Sequence, residues 1–220
     1  MLTSSRYKHI IWDWNGTLLD DVWLSVQSIN TVLSRYELPQ ITTSRYLDIF
    51  TFPVIEYYKL LGFNFETYPF EKVGTEFINE YTYNQYSPNL HKDLIKVLKE
   101  INDLKVNQSL VSAATQKMLD KLIHHHKLDN YFDTVIGQDN HYAYGKEDTV
   151  NKWLDVRSLD PSHVLFIGDT IHDHEVAINS GMQSLLISHG HTSQERLLKT
   201  GTIVLPNLRS FIHWFKESTQ

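Results

Sequence analysis

The sequence predicts an α/β fold with a Rossmann-like parallel-sheet core and an inserted α-helical domain. From Leu90 onward, helical and strand patterns alternate, which is typical of βαβ units. Residues 20 to 88 break this alternation, because they are rich in Tyr and Phe and helical in tendency. Two apolar runs far apart in the chain, residues 9–12 and 164–167, are each followed by an acid. These observations favour one sheet with a helical insertion.

The alternating part begins with an amphipathic helix that ends near Lys105. Gly181 is predicted as the C-terminal cap of the helix from about His174 to Ser180. Alternating strands and helices are predicted to follow the first helix. They are, in chain order, a strand at Ser109–Val111, a helix from Thr115 to Leu128, a strand from Tyr131 to Ile136, a helix near Asp148–Asp155, a strand at Val164–Ile167, a helix from about His174 to Ser180 and a strand at Ser184–Ile187.

The predicted domains are a core formed by residues 1–19 and 89–220 and a helical cap formed by residues 20–88. Several prolines and one glycine interrupt the cap sequence, at Pro39, Pro53, Gly62, Pro69 and Pro88. No low-complexity linker separates the two parts, so short hinges are predicted at Leu18–Asp21 and Tyr86–Leu90.

Composition excludes several functional classes. The chain has 220 residues, of which 41% are hydrophobic, so it can bury one good core or a core with an insertion. A net charge of -6 argues against a broad nucleic-acid surface, and the absence of cysteine excludes thiol chemistry. No run approaches the roughly 18 apolar residues of a membrane span. We therefore expect a cytoplasmic protein with no membrane or nucleic-acid partner, and the sequence does not indicate its oligomeric state.

Acidic residues follow both apolar runs. Asp13 comes directly after the first run, and Asp169 follows the second after Gly168. Each peptide alone matches a strand that ends in an ordinary turn. Together they indicate a shared metal site, because ligands bind outside the carboxyl ends of strands in open parallel sheets.

The chain resembles the haloacid dehalogenase superfamily, in the branch with a helical cap after the first strand, as in phosphoglycolate phosphatases and β-phosphoglucomutases. Four motifs occur in the family's order. They are Asp13, Gly16 and Thr17; Ser112, with Thr115 as a weaker candidate; Lys146, with Lys152 as a rival; and Gly168, Asp169 and Asp173.

The resemblance implies an Mg²⁺-dependent phosphatase that acts on a small phosphorylated metabolite. Asp13 would be the nucleophile that forms an aspartyl phosphate. Hard oxygen ligands suit Mg²⁺, and the acids would repel one another without a cation. The implied metal ligands are Asp13, Asp169, Asp173 and the backbone carbonyl of Asn15, and the implied phosphate donors are Ser112, Lys146 and the amides around Asn15 and Gly16.

Three of these residues also have ordinary structural interpretations. Ser112 alone is a common turn or capping residue. Lys146 sits beside Glu147 and Asp148 and would be unremarkable as a solvated lysine. Asp173 would be a favourable acid in the first turn of a helix. The paired motifs favour the functional interpretation.

Asn15 departs from the family pattern, which has an acid there that protonates the leaving group and activates water. An amide does neither. Three interpretations stay open: a leaving group that needs little protonation, another residue such as His172 as proton carrier, or an inactive module that binds Mg²⁺ and phosphate. For an anionic substrate, the cap offers Arg35, Arg45 and Lys59.

Overall fold

The computed structural model describes residues 6–139 and 146–218. The strands are β1 (His9–Trp12), β2 (Leu19–Asp20), β3 (Asn89–Leu90), β4 (Asn107–Thr115), β5 (Thr134–Gln138), β6 (Val164–Gly168), β7 (Gln183–Ile187) and β8 (Ile203–Leu205). The α-helices are α1 (Val22–Arg35), α2 (Thr43–Ile49), α3 (Val54–Leu60), α4 (Phe70–Tyr83), α5 (Leu94–Asp103), α6 (Gln116–His125), α7 (Glu147–Arg157), α8 (Ile171–Asn179), α9 (Gln194–Leu198) and α10 (Leu208–Ser218), with a 3₁₀ turn at Pro161–His163.

Six strands form a parallel sheet in the order β5-β4-β1-β6-β7-β8. Strand β1 lies between β4 and β6, with Trp12 in register with Leu110 and Ile167. Every residue of β1 and β6 is buried, as expected for central strands covered on both faces. The carboxyl ends of β1, β4 and β6 therefore lie side by side at one edge of the sheet.

Helices α1 to α4 form the helical insertion, for which we keep the name cap. Its buried side chains, from Val22 to Val73, form a hydrophobic cluster of their own. Strands β2 and β3 pair antiparallel, with Leu19 opposite Leu90, so the chain enters and leaves the cap at one place. The domain boundaries at 19/20 and 88/89 stay a prediction.

The predicted elements of the core are present, with shifted ends. Helix α6 begins at Gln116 because the Thr115 hydroxyl caps it by accepting a hydrogen bond from the Met118 amide. Gly181 follows α8 with a φ of 73°, the left-handed conformation expected after a helix. The sequence patterns do not predict α9, β8 and α10, which the structure adds after β7. In the part of the chain that the structure describes, none of the helices has the length and apolarity needed to cross a membrane.

Candidate active site

Three carboxylates meet at the edge of the sheet where β1 and β6 end. Asp13 follows β1, Asp169 follows β6, and Asp173 lies in the first turn of α8. One ligand oxygen from each lies within 4.8 Å of the others, and all three residues are buried. Within residues 6–139 and 146–218, this is the one cluster of three or more potential metal ligands. The sequence prediction that strand-end acids converge is therefore confirmed in geometry.

Lys146 and Thr17 connect the acids. The Lys146 side chain is only 3% exposed, and its ammonium donates to Asp13 and, over 2.7 Å, to Oδ1 of Asp173. The Thr17 hydroxyl lies 2.6 Å from Oδ1 of Asp169 and 3.1 Å from Oδ2 of Asp13. Lys152, the rival candidate, is exposed on α7. The geometry thus favours Lys146 over Lys152.

Asp173 is held by the start of its own helix. Thr170 caps α8, and Thr170 and Asp173 form a reciprocal capping box. The amides of Asp169 and Thr170 donate to Oδ2 of Asp173 over 3.2 and 3.0 Å. Asp173 is therefore both a first-turn acid and the partner of Lys146, so the two interpretations of this residue are compatible.

The cluster has more negative than positive charge. Burial raises the pKa of Asp13 well above its ordinary value; Lys146 opposes this, whereas Asp173 and Asp169 add to it. Burial also raises the pKa of Asp169, against the effect of His191. At Asp173 the effect of burial is outweighed by Lys146, which holds the pKa low. The clustered carboxylates supply oxygen donors, and their negative charge exceeds the positive charge of Lys146. Both features fit a hard divalent cation.

Ser112 and Thr115 have different positions near the end of β4. The buried Ser112 hydroxyl lies 3.5 Å from Oδ1 of Asn15, at the outer limit of a hydrogen bond, and accepts from the Ala114 amide over 3.1 Å. The Thr115 hydroxyl is occupied in capping α6. Of the two candidates, Ser112 is therefore the one that reaches the loop after β1.

Asn15 belongs to a hydrogen-bond network that the sequence analysis missed. Its Nδ2 donates to Oδ2 of Asp21 over 2.8 Å and to the Tyr81 hydroxyl over 3.0 Å. Tyr81 in turn donates to the same Asp21 oxygen over 2.7 Å. The other oxygen of Asp21 accepts from the Gly16 amide over 2.8 Å. The loop after β1 is therefore fixed by a residue at the entrance to the cap.

His191 forms a buried ion pair with Asp21. Its Nε2 lies 3.2 Å from Oδ1 of Asp21, and its Nδ1 lies 2.8 Å from the Tyr46 hydroxyl. Burial opposes protonation of the ring, but Asp21, with Asp169 and Asp13, raises the pKa of His191 to about 9. Burial alone would raise the pKa of Asp21, whereas His191, Tyr81 and Asn15 together hold it below its ordinary value.

A cavity of about 160 Å³ lies between the acidic cluster and the cap. The core side of its lining includes Asp13, Asn15, Lys146, Asp173 and His191. Aromatic side chains of the cap form the opposite wall: Tyr46, Phe50, Phe52, Tyr57, Tyr58, Phe70, Phe77 and Tyr81. The cavity is therefore polar where the acids lie and largely apolar on the cap side.

The sequence pattern of haloacid dehalogenase-like hydrolases matches residues 10–187. The chain belongs to the haloacid dehalogenase-like hydrolase family. The match covers most of the chain and includes all four motifs found in the sequence.

Curated relatives of this dehalogenase-like hydrolase include a 5′-nucleotidase from Pseudomonas aeruginosa, 25% identical over 199 residues, which cover 87% of each chain. A phosphoglycolate phosphatase from Vibrio vulnificus is 24% identical over 108 residues, covering 49% of this chain and 47% of the relative.

Solved structures share the fold of the dehalogenase-like hydrolase. One is described as a predicted phosphoglycolate phosphatase from Haemophilus somnus, with a TM-score of 0.78, 16% identity and coverage of 95% and 98% of the two chains. Another is a haloacid dehalogenase-like family hydrolase from Streptococcus pneumoniae, with a TM-score of 0.75, 18% identity and coverage of 96% and 99%.

The histidines of the dehalogenase-like hydrolase that follow β6 and β7 have separate roles. His191 lines the cavity, whereas His172 stacks on Phe52 outside it, with ring centroids 4.7 Å apart. His189 hydrogen-bonds to the Thr17 carbonyl over 3.1 Å and stacks on His91. The geometry therefore gives no support to His172 as the substitute proton carrier.

The cap cations lie away from the cavity. Arg35 pairs with Glu80 and Glu76, and Lys59 pairs with Glu56 over 2.7 Å. Arg45 is exposed on α2. None of these cations lines the cavity. The hypothesis that they bind an anionic substrate group is therefore not supported by their positions.

Proposed function

We propose that this hydrolase is an Mg²⁺-dependent phosphatase that acts on a small phosphorylated metabolite. The buried cluster of Asp13, Lys146, Asp169 and Asp173 carries the proposal. The relatives named 5′-nucleotidase and phosphoglycolate phosphatase support it, since both names denote removal of phosphate from a small molecule.

The donor set fits Mg²⁺. In the proposal, the ion is held by the carboxylates of Asp13, Asp169 and Asp173 and by the backbone carbonyl of Asn15. All of these donors are oxygens, which Mg²⁺ prefers, and the carboxylates outnumber the buried Lys146. When bound, the ion supplies positive charge that neutralises the acids and the phosphate.

Asp13 is proposed as the nucleophile. Its carboxylate attacks phosphorus and forms an aspartyl phosphate, which water then hydrolyses. Lys146 lies between Asp13 and Asp173 and is placed to donate to phosphoryl oxygens as negative charge develops. The Ser112 hydroxyl and the amides near Asn15 and Gly16 are further proposed donors. Gly16 adopts a φ of 75°, and a Cβ there would collide with Asp169 and His191.

Asn15 limits the chemistry of this site. Its amide has no proton to give to a leaving group, and general acid-base catalysis typically contributes 10²- to 10⁴-fold. We therefore expect formation of the aspartyl phosphate to depend strongly on how well the leaving group departs unprotonated. Asn15 also favours the alternative, a module that binds Mg²⁺ and phosphate without turnover, whereas the paired Asp13 and Lys146 favour the enzyme.

A panel of phosphorylated metabolites assayed with Mg²⁺ tests the proposal. Acetyl phosphate belongs in the panel, because its acetate leaving group needs no protonation. The parent should hydrolyse at least one substrate, and Asp13→Asn should lose at least about 10³-fold of this activity. Asp20→Asn, at an exposed carboxylate beside the cap entrance, is the matched control. Parent activity no greater than that of Asp13→Asn on every substrate would overturn the phosphatase and favour the binding module.

A further inference from the structure

The cap wall of the cavity is chemically selective. Its lining consists mainly of aromatic rings, among them Phe50, Phe70 and Phe77, and no described Lys or Arg of the cap reaches it. A carboxylate or second phosphate on the substrate would lose its hydration there without gaining an ionic partner. The wall therefore favours an uncharged group, and flat rings pack well against other aromatic rings.

Gly74 provides open space in this wall. It is buried in the middle of α4, where glycine is less favourable than alanine. A Cβ at this position would meet no atom within 4 Å, so local packing does not require glycine. Because Gly74 also lines the cavity, its missing side chain enlarges the space available to a ligand.

Tyr57 provides an unused polar atom. Its hydroxyl is buried and has no hydrogen-bond partner among the described residues, and the side chain lines the same cavity. Buried hydroxyl groups without partners are unfavourable and uncommon. A polar substituent on a bound ring would satisfy this hydroxyl.

The cavity is also small. Its volume of about 160 Å³ is below the roughly 300 to 1,000 Å³ of typical sites for drug-sized ligands. A cavity below this range favours a small substrate, such as a phosphate on a single ring.

Asn15 restricts the kind of hydroxyl group that can carry the phosphate of the substrate. A phenolic hydroxyl has a pKa of about 10, against 15.7 for water, so a phenolate leaves without the proton that an alkoxide requires. We propose that the substrate is a phosphate monoester of a phenolic hydroxyl on a single uncharged aromatic ring. This inference rests on the proposed phosphatase function and specifies its substrate class.

The bonds and charges of this reaction balance without another reactant. A carboxylate oxygen of Asp13 forms a bond to phosphorus while the bond between phosphorus and the aryl oxygen breaks. The electron pair stays on the phenolate, which takes a proton from solvent. Water then attacks phosphorus, releases inorganic phosphate and restores the Asp13 carboxylate, and the proton of the water passes to solvent.

Steady-state kinetics with Mg²⁺ and five substrates test the inference. The substrates are phenyl phosphate, benzyl phosphate, phosphoglycolate, adenosine 5′-monophosphate and acetyl phosphate. We expect kcat/KM for phenyl phosphate to exceed that for phosphoglycolate and for the nucleotide by at least about 100-fold. Benzyl phosphate should have a kcat/KM at least about tenfold lower than phenyl phosphate, because its leaving group is an alkoxide and kcat/KM depends on formation of the aspartyl phosphate.

Substitution of Gly74 tests the position of the ring. Gly74→Leu should fill the open space and reduce the ratio of kcat/KM for phenyl phosphate to that for acetyl phosphate at least tenfold, with a smaller reduction in Gly74→Ala. Circular dichroism and thermal unfolding check that both variants fold. An unchanged ratio in folded Gly74→Leu would overturn the placement of the ring in this cavity.

The results separate failure of the inference from failure of the proposed function. Hydrolysis of acetyl phosphate that depends on Asp13, together with a preference for phosphoglycolate or the nucleotide over phenyl phosphate, would overturn the aryl substrate and leave the phosphatase intact. Absence of Asp13-dependent hydrolysis of acetyl phosphate and of all the other substrates would overturn both.

Discussion

Asn15 donates its side-chain amide to the buried carboxylate of Asp21 over 2.8 Å. An aspartate at position 15 would instead place a second carboxylate against Asp21, and like charges at this separation repel strongly when buried. The asparagine that departs from the family motif is therefore matched by an acid at the cap entrance. His191 completes the arrangement as the cationic partner of Asp21.

Exchange of the two polar groups tests this relationship. Asn15→Asp alone should introduce repulsion with Asp21 and lower the free energy of unfolding by about 1 to 3 kcal/mol. The double variant Asn15→Asp/Asp21→Asn should recover part of this loss, because it restores an amide opposite a carboxylate. Urea unfolding of all four members of this double-mutant cycle measures the coupling. Strictly additive effects would contradict the proposed pairing.

The same variants should differ in turnover. An acid at position 15 supplies the missing proton, so Asn15→Asp should raise kcat/KM, which depends on formation of the aspartyl phosphate, for alkyl phosphates such as benzyl phosphate by at least about tenfold. The gain for phenyl phosphate should be smaller, since its leaving group needs protonation less. Equal gains for both substrates would show that leaving-group protonation is not what Asn15 limits.

Mg²⁺ should stabilise the fold through the acidic cluster. A ligand at 100 times its dissociation constant adds about 2.7 kcal/mol to the free energy of unfolding. Asp169→Asn should lose most of this gain, measured as the shift in melting temperature on adding Mg²⁺. The amide can still accept from the His191 amide proton, so the fold should tolerate the change. Asp155→Asn, on the exposed face of α7, should keep the full shift.

Arg196 should hold the cap over the cavity. Its Nη1 donates to the backbone carbonyls of Leu47 and Phe50 over 2.9 and 2.8 Å, which links α9 of the core to the end of α2. Arg196→Gln should raise KM for phenyl phosphate roughly tenfold, because hydrogen bonds to charged groups contribute about 1.5 to 3 kcal/mol. The exposed Arg209→Gln is the control, and equal KM values in both variants would argue against this role.

His9 should make the protein less stable in acid. The ring is buried, bonded to the Ser109 hydroxyl over 2.9 Å, and burial with the charge of Arg157 lowers the pKa of His9 to about 4. Between pH 6.5 and about 4 the unfolded chain binds the proton that the folded protein excludes, so the free energy of unfolding falls as pH falls.

The size of this effect is roughly 2 to 3 kcal/mol. Urea unfolding at pH 7 and pH 4.5 measures it, and His9→Gln should show a smaller loss between the two pH values. His213→Gln, at an exposed position on α10, should retain the loss seen in the parent.

Local sequence patterns are sufficient to predict most of the strands and helices of the core. The apolar runs of β1 and β6 are continuous because both faces of these strands are covered, and each run ends where its acid begins. The local sequence pattern does not predict β8, an edge strand of three residues at Ile203–Leu205. A segment this short has no periodicity that distinguishes it from a loop, and its neighbour β7 defines it through pairing.

The sequence by itself determined the family, the parallel sheet and the acids that follow its strands, because these features depend on residues close together in the chain. Only the tertiary structure decided which distant groups meet Asn15 and its partner Asp21. Asp21 and His191 are 170 positions apart, and Asn15 and Tyr81 are 66 apart. Spacing along the chain does not encode such contacts. They arise because the cap closes against the sheet edge, and this closure places aromatic rings opposite the carboxylates.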